Sequence, residues 1–281
     1  MGEQGSLPGS LNRPARRLTA GGAETLDEIV AEEVAVALVY NGVSHSVMMA
    51  TPCDLEDFAR GFSLTERIVE KPSEIYDIEV EETCVASGGR GIEVRLDIAA
   101  KRMVALQERR RSLAGRTGCG LCGVDSLEAA LRPAAAAAAE VVGAVSRQAI
   151  ERAMAALPER QLINRENGAT HAAGWADIDG QLLAVREDVG RHNALDKLAG
   201  ALAKAGTSMS GTTTPGFVVV TSRCSYEMVQ KAAALGAVAI AAVSAPTSLA
   251  IATAEQAGIG LAAFVRNGRL TVYAHDERIL A

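Results

Sequence analysis

Two cysteines three positions apart are the residues best suited to chemistry in this chain. Cys119 and Cys122 lie in the segment Thr-Gly-Cys-Gly-Leu-Cys-Gly, and a glycine follows each of them. The thiolate is the nucleophilic form of cysteine, and nearby cations favour it. Four arginines precede the first cysteine: Arg109, Arg110, Arg111 and Arg116. Because glycines let a backbone approach a ligand closely, the pattern indicates sulfur chemistry carried by a loop.

Several interpretations of the cysteine pair remain open. A structural zinc site needs four ligands, and the chain has no second C-x-x-C and no H-x-x-x-H. A thioredoxin-like redox pair is a second option, although the aromatic residue expected before the first thiol is absent. Two inert buried cysteines fit poorly with glycine and arginine neighbours. The fourth option is a nucleophilic sulfur carried as a persulfide, with the second thiol resolving or relaying it.

A second polar motif covers residues 186–197, with the sequence Arg-Glu-Asp-Val-Gly-Arg-His-Asn-Ala-Leu-Asp-Lys. A helix is predicted to begin after Gly190, and a helix N-terminus attracts anions. Arg191, His192 and Asn193 could donate hydrogen bonds there. A solvated helix start with capping acids is the alternative interpretation. The density of donors and acceptors favours a polar ligand.

Two further segments could contact a ligand. Residues 221–227 follow a predicted buried strand, which is where phosphates and sugars bind in α/β proteins. This segment lacks the glycine spacings of a dinucleotide fingerprint or a P-loop. Residues 264–269, Phe-Val-Arg-Asn-Gly-Arg, place two arginines around an Asn-Gly turn. Without further context, the second segment is an ordinary hairpin.

The N-terminal half is predicted to contain three regions. Residues 1–23 have no continuous apolar run and are expected to be a disordered tail. Residues 24–106 are expected to form a small α+β domain, with a hairpin at Asn41-Gly42, a helix capped by Asp54 and a second hairpin over residues 79–98. Residues 107–124 are expected to be a flexible loop that carries the cysteine pair.

Residues 125–281 are predicted to form an α/β domain. Helices are expected to begin after Asp125 and after Ser146, the latter ending at Pro158, and a hairpin is expected at Asp179-Gly180. Strands at 217–221, 237–243 and 260–265 alternate with helices at 225–235 and 247–257, and Asn267-Gly268 turns the chain into a last strand. This order predicts right-handed crossovers and a largely parallel sheet, with ligands beyond the carboxyl ends of its strands.

Composition narrows the possible partners. A chain of 281 residues that is 48% hydrophobic is expected to form two globular domains. A net charge of -6 and 3% aromatic residues disfavour a nucleic-acid partner. The longest strongly apolar run, residues 237–243, is too short to span a membrane. Five cysteines, an odd number, disfavour a secreted disulfide framework, so a cytoplasmic location is expected.

Four motifs in a fixed order resemble the FdhD family. They are residues 117–123, 186–197, 222–231 and 264–269, and the likeness runs from about residue 25 to residue 275. The resemblance implies a sulfur carrier needed for active formate dehydrogenase. Such a carrier takes persulfide sulfur from a cysteine desulfurase and passes it to the bis(molybdopterin guanine dinucleotide) form of the molybdenum cofactor. The cofactor then enters the apo-formate dehydrogenase.

The resemblance also assigns site residues. Cys119 matches the persulfide-bearing position and Cys122 its companion. The segment matched to the guanine dinucleotide comprises Phe264, Val265, Arg266, Asn267, Gly268 and Arg269, with GDP as a cofactor analogue. Arg191, His192 and Arg223 are added as cofactor-binding candidates from their positions, because guanidinium groups suit phosphate oxygens. Cys224 is expected to be structural, and a homodimer is expected.

The fold implied by the resemblance is a cytidine-deaminase-like C-terminal domain with a mixed, largely parallel sheet, beside a smaller N-terminal α+β domain. Zinc deaminases use H-x-E followed by P-C-x-x-C. Here H-x-E occurs only at residues 275–277, after the cysteine pair, and Gly118 precedes Cys119. No metal is therefore expected. Two alternative functions are a chaperone that holds the cofactor without sulfur transfer and a dithiol oxidoreductase.

Overall fold

The computed structural model describes residues 7–84, 90–114, 143–206 and 215–281. The cysteine pair and the helix expected after Asp125 lie outside these ranges. Two β-sheets with packed helices make up most of the described chain. Among the described helices, none is long and apolar enough to cross a membrane.

An exposed hairpin lies near the N-terminal end of the described residues. Strands β1 (Ser10–Thr19) and β2 (Gly22–Ala31) pair in antiparallel register. The expectation of a disordered tail over residues 1–23 is wrong for residues 10–23, which form β1, the turn and the start of β2. Most side chains of β1 are exposed, so the strand has no apolar alternation that would have identified it. Backbone pairing and the ion pairs of Arg17 with Glu24 and Glu28 hold it instead.

A four-stranded sheet forms the N-terminal unit. Its strands are β3 (Val34–Tyr40), β4 (Val43–Ala50), β5 (Ile75–Cys84) and β6 (Arg90–Ile98), in the order β4-β3-β6-β5. Both predicted hairpins are confirmed, and β3 pairs with β6 in parallel. Asn41 and Gly42 have φ of 46° and 78°, as a two-residue turn between twisted strands requires.

Two helices complete the core of this unit. Helix α1 (Leu55–Thr65) and helix α2 (Ala100–Ala114) bury Phe58, Phe62 and Met103 against the sheet. Helix α1 confirms the prediction, but Asp54 does not cap it, because this residue has φ of 52° and its side chain makes no capping bond. Helix α2 includes residues 107–114, which were predicted to be loop. That stretch contains good helix formers and no glycine or proline, so extending the helix costs little.

A six-stranded sheet forms the C-terminal unit, in the order β13-β12-β11-β10-β8-β9. The chain order of its region is β7 (Val145–Ser146), α3 (Arg147–Arg160), α4 (Leu162–Asn167), β8 (His171–Asp177), β9 (Leu182–Asp188), α5 (Arg191–Lys204), β10 (Gly216–Val220), α6 (Tyr226–Ala234), β11 (Ala239–Ala242), α7 (Ser248–Ala257), β12 (Gly260–Arg266), β13 (Arg269–Ala274) and β14 (Ile279–Leu280). Short 3-10 helices span Pro72–Glu74 and Asp276–Arg278.

The predicted β-α-β-α-β order is confirmed, but the sheet is mixed and not largely parallel. Strands β10, β11 and β12 are parallel to one another. The pairs β10-β8, β8-β9 and β12-β13 are antiparallel, because hairpins add strands at both sides of the parallel centre. Ser146 caps α3 as predicted, accepting a bond from the Ala149 N–H, whereas α3 continues through Pro158 to Arg160.

Helices cover both faces of this sheet. Buried residues of α5, α6 and α7 pack on one face, and buried residues of α3 pack on the other. Helices α5, α6 and α7 each begin near the carboxyl end of the strand that precedes them. Several chain ends therefore meet at one edge of the sheet, called the carboxyl edge below. They are the ends of β9, β10, β11 and β12, the start of β8 and the N-termini of α5, α6 and α7.

The two units meet where α1 crosses α5. A Cβ on Gly61 would lie 1.8 Å from the carbonyl oxygen of Asp196, and one on Gly200 would lie 1.8 Å from the carbonyl oxygen of Asp57. No other residue fits at either position without moving a backbone, so the two glycines allow this close crossing.

Candidate functional site

The motif at residues 186–197 connects β9 to α5, and a buried ion pair lies at its centre. Lys197 and Asp188 are both fully buried, with 2.7 Å between Nζ and Oδ2. The Lys197 ammonium also donates to the backbone carbonyls of Thr51, at 2.9 Å, and Glu187, at 3.3 Å. The lysine therefore joins the six-stranded sheet to the segment that leads into α1.

Asp188 also organises the start of α5. Its Oδ1 accepts bonds from the Gly190 N–H at 2.7 Å and from Asn193 Nδ2 at 3.1 Å. Its Oδ2 accepts a bond from the Thr51 N–H at 3.0 Å. The amide of Asn193 donates in addition to the Met49 carbonyl, at 2.8 Å. Asn193, predicted to be a ligand donor, is thus buried and occupied within the chain.

The other acidic and basic residues of the motif are also used internally. Arg186 donates to Asp57 of α1, with Nη2 2.6 Å from Oδ2. Glu187 accepts the backbone N–H groups of residues 163 and 164 and the hydroxyl of residue 170. Asp196 pairs with the buried Lys231, at 2.9 Å. The polar-ligand interpretation is wrong for these residues, and so is the alternative of a solvated helix start, since most of them are buried.

Arg191 and His192 differ from the rest of the motif because they face the carboxyl edge. His192 Nε2 lies 2.9 Å from Glu227 Oε2 and 3.4 Å from Ser225 Oγ. The Nε atom of Arg191 is buried and has no hydrogen-bond partner in the described part of the chain. A buried N–H without an acceptor costs about 1–3 kcal/mol. An acceptor on a bound ligand would remove that cost.

Two ionisable groups near this edge, Glu227 and His171, have shifted pKa values. The hydrogen bond from His192 holds the pKa of Glu227 below its usual range, so this carboxyl stays ionised. Burial lowers the pKa of His171, and the positive charge of Arg191 lowers it further. Arrangements that stabilise one charge and suppress another are common at functional sites. His171 was missed by sequence reasoning, because a single histidine before an alanine pair carries no motif.

Backbone hydrogen bonds connect the loops that follow the parallel strands. The Cys224 N–H donates to the Ala245 carbonyl, and the Thr247 N–H donates to the Cys224 carbonyl, at 3.1 and 3.0 Å. Cys224 is fully buried, and burial raises the pKa of its thiol to about 12. A thiol that stays protonated is a poor nucleophile, which agrees with its expected structural role. Arg223 beside it is exposed.

The hairpin at residues 264–269 lies at the same edge, after β12. Phe264 has φ of 54°, and it sits at an irregularity in the pairing of β12 with β13. Left-handed backbone is strained for an aromatic residue, and such strain concentrates at functional sites. The Arg266 guanidinium lies 5.7 Å from the centre of the Phe264 ring. Val265 is buried, whereas residues 266–269 are exposed, so the valine side chain is part of the core.

The described segments that carry predicted site residues reach the same sheet edge, although the Val265 side chain itself lies in the core. Arg191 and His192 lie beyond β9, Arg223 beyond β10, and the hairpin beyond β12, in one row along the carboxyl edge. Adjacent strands are about 4.8 Å apart, so the row is long enough for a ligand of several groups. Cys119 and Cys122 lie outside the described residues, and their roles stay predictions. Within the described ranges, no cluster of three or more His, Cys, Asp or Glu is arranged to hold a metal ion.

Comparison with known proteins identifies the family. A family model described as the FdhD/NarQ family matches residues 31–280. The chain belongs to the FdhD/NarQ family. This confirms the resemblance drawn from the four motifs, and the match covers both sheets of the fold.

Three relatives in this family carry the name sulfur carrier protein FdhD. The protein from Cupriavidus necator is 56% identical over 250 residues, covering 89% of this chain and 83% of the relative. The protein from Bordetella parapertussis is 51% identical, covering 90% and 87%. The protein from Xanthomonas campestris is 48% identical, covering 97% and 93%.

A solved structure has the same fold. It is a crystal structure described as that of a formate dehydrogenase accessory protein from Desulfotalea psychrophila. The alignment covers 97% of this chain and 100% of that chain, with a TM-score of 0.74 and 25% identity. The mixed α/β architecture is thus shared across distant members of the FdhD/NarQ family.

Proposed function

We propose that this member of the FdhD/NarQ family is a sulfurtransferase for a molybdenum cofactor. It accepts persulfide sulfur from a cysteine desulfurase and passes it to the bis(molybdopterin guanine dinucleotide) cofactor before that cofactor enters apo-formate dehydrogenase. The names of the relatives support the sulfur-carrying role. The observation that carries the ligand assignment is the row of donors along the carboxyl edge.

The edge has the chemistry that a nucleotide-bearing substrate needs. Arg191 offers a buried N–H that has no acceptor among the described residues, and the exposed side chains of Arg223, Arg266 and Arg269 can form bidentate bonds with phosphate oxygens. The N-termini of α5, α6 and α7 add partial positive charge there. The half-exposed Phe264 ring offers an apolar surface beside these cations. The cofactor is held at this edge as a substrate.

The sulfur step is an exchange between sulfur atoms. The Cys119 thiolate attacks the terminal sulfur of the donor persulfide, a new S–S bond forms at Cys119, and the donor cysteine leaves as a thiolate. Cys122 is its companion in resolving or relaying the sulfur. The arginines that precede the pair favour the thiolate form. For delivery to molybdenum the S–S bond breaks and Cys119 leaves as a thiolate. The transferred sulfur would take two electrons from a reduced, Mo(IV) form of the substrate cofactor, leaving Mo(VI) with a sulfido ligand.

The remaining parts of the proposal follow from the family resemblance. The protein acts in the cytoplasm and as a homodimer. Its C-terminal unit has the cytidine-deaminase-like fold, and the four-stranded sheet with α1 and α2 is the smaller domain. The chain holds no catalytic metal of its own.

Mass spectrometry tests the sulfur step. We expect the chain to gain one sulfur atom on the Cys119 peptide after incubation with a cysteine desulfurase and cysteine. Cys119→Ala should abolish both this gain and the maturation of formate dehydrogenase, while still binding GDP. Cys224→Ala is the matched control, because this thiol is fully buried. Normal maturation by Cys119→Ala would overturn the proposal.

The same measurements separate the two alternative functions. An unmodified chain that binds GDP tightly and still supports maturation would indicate a chaperone that only holds the cofactor. A disulfide between Cys119 and Cys122 that cycles with thioredoxin would indicate a dithiol oxidoreductase. Either result would replace the sulfurtransferase proposal.

A further inference from the structure

We propose that Glu227 is a specificity-determining residue of the carboxyl edge. It selects ligands with an internal pyrophosphate, in which each phosphate carries one negative charge, over ligands that end in a doubly charged phosphate. This inference rests on the proposed function, because it takes the edge to be the nucleotide site.

The geometry places one carboxylate against the two donors at the start of α5. Glu227 lies in the first turn of α6, and its Oε2 is 2.9 Å from His192 Nε2. The positive charge of Arg191 contributes to the lowered pKa of Glu227, so the two charges interact. A phosphate that accepts the orphaned Arg191 N–H would therefore bind within range of the Glu227 charge.

Three basic side chains lie within electrostatic range of Glu227: His192, Lys231 and Arg191. Lys231, on the same helix, is buried and pairs with Asp196 of α5 and Glu66 beyond α1, at 2.9 and 2.7 Å. His171, from β8, has a pKa lowered by burial and is neutral near pH 7. Lys231 and His192 are already paired inside the chain, whereas the Arg191 Nε–H has no partner in the described part of the chain. A phosphate that binds this N–H lies near the Glu227 charge, which repels a second negative charge on the same phosphate.

The ligand classes differ in charge at this point. A phosphate inside a pyrophosphate diester carries a single negative charge, whereas a terminal phosphate carries about 1.5 to 2 at neutral pH. An added negative charge several ångströms from a partly exposed carboxylate weakens binding by about three- to tenfold. A dinucleotide cofactor has only internal phosphates, so the carboxylate favours it over free nucleoside diphosphates and triphosphates.

An acidic residue in the first turn of a helix has a simpler use, which is to stabilise the helix dipole. Such a role would change the stability of the chain without changing the ratio of two ligand affinities. The ratio of the two ligand affinities therefore distinguishes a specificity role of Glu227 from a purely structural one. Two probes that differ in one charge and one methyl group are GDP and the methyl ester of its terminal phosphate.

Calorimetric titration of the full chain at about pH 8, where a terminal phosphate is doubly charged, tests the inference. We expect the wild-type chain to bind the methyl ester about three- to tenfold more tightly than GDP. Glu227→Gln should bring the two affinities to within about twofold, mainly by tightening GDP binding. Glu277→Gln is the matched control, because Glu277 forms a similar pair with His275, at 2.6 Å, at the opposite edge of the sheet. It should keep the wild-type ratio.

A measurement on the wild-type chain tests the inference even if the Glu227→Gln variant misfolds. Its preference for the methyl ester should shrink as salt is raised to about 0.5 M, since ions screen exposed charges. An unchanged affinity ratio in folded Glu227→Gln, or a wild-type chain that prefers GDP, would overturn the inference while nucleotide binding stands. Failure of the wild-type chain to bind either probe would overturn the inference and also the assignment of the edge as the nucleotide site.

Discussion

Two parts of one twelve-residue segment make opposite use of the same residue types. In the buried part, Asp188 and Lys197 are fully enclosed and every nearby polar group has a partner inside the chain. At the carboxyl edge, Arg191 keeps a buried N–H that no group in the described ranges accepts, and His192 pairs with a half-exposed Glu227. Charges that find their complement inside the chain hold the fold, and charges that do not are available for a ligand.

The difference between the two parts has an energetic cause. A fully buried ion pair recovers the cost of desolvation only while both partners are present. The His192–Glu227 pair has side chains 29% and 43% exposed, so water and salt weaken it. Mutations in the buried part should therefore change stability, and mutations at the edge should change binding.

The largest effect is expected from breaking the buried ion pair. Lys197→Met should lower the free energy of unfolding by about 3–5 kcal/mol, because Asp188 is left buried and uncompensated. Lys204→Met is the matched control, since Lys204 forms an exposed pair with Glu56 and should contribute about 0–1 kcal/mol. Urea denaturation measures both. Equal losses in the two variants would remove the distinction between the buried part and the surface.

The crossing of α1 and α5 should be nearly as sensitive. Gly61→Ala places a Cβ against the Asp196 backbone, and we expect it to cost about 1–3 kcal/mol through overpacking. Gly21→Ala, in the exposed turn between β1 and β2, meets only a threonine hydroxyl at 3.7 Å and should stay within about 0.5 kcal/mol. A stable Gly61→Ala would show that the two units do not need this close contact.

At the edge, the expected change is in binding. Arg191→Met should weaken GDP binding by about ten- to a hundredfold, which corresponds to one charged hydrogen bond, without lowering the urea midpoint. Arg152→Met serves as the control, because this exposed arginine donates to the Asp179 carbonyl away from the edge. Wild-type affinity in Arg191→Met would mean that its buried N–H does not meet the ligand.

The smallest expected effect concerns two histidines whose pKa values are shifted in opposite directions. The pKa of His171 is lowered, mainly by burial, whereas the pKa of His275 is raised, mainly by its bond to Glu277. The unfolded value is about 6.5. NMR titration should find His171 below it and His275 above it, and His171→Gln removes the first signal as an assignment control. The reverse order would contradict the described burial of His171.

The two pKa shifts also make the free energy of unfolding depend on pH, in opposite directions. Above pH about 6.5, the contribution of neutral His171 is fully present, and it is lost as pH falls through its folded pKa, because the unfolded chain binds the proton more readily. The contribution of His275 is present below pH about 6.5 and lost as pH rises through its folded pKa. If the urea midpoint of His171→Gln decreases from pH 7 to pH 5 as steeply as that of the wild type, the predicted contribution of His171 to stability is wrong.

Local features of the fold could be predicted because their signals are local. The turns at Asn41-Gly42, Asp179-Gly180 and Asn267-Gly268 depend on residues that adopt positive φ easily, and all three join antiparallel strands. The Ser146 cap depends on a bond three residues away. Exposed β1 and the charged end of α2 escaped prediction, because neither has the apolar periodicity that marks a buried element.

The site could be predicted only in part. The motifs identified the segments that reach the carboxyl edge, but not which of their side chains face it. Asn193 and Val265 have suitable positions along the chain, yet one is bonded to Asp188 and Met49 and the other is in the core. Glu227 lay within a motif without an assigned role, and His171 lay within none.

Sequence alone determined the family, the order of the strands along the chain in the two larger sheets, and the segments able to carry chemistry. These follow from residue types and short spacings that any copy of the chain contains. Tertiary structure alone decided which charges of residues 186–197 are enclosed and which remain for a ligand. The reason is that their partners, among them Thr51, Asp57 and Lys231, are distant in sequence and are brought close only when α1 packs on α5.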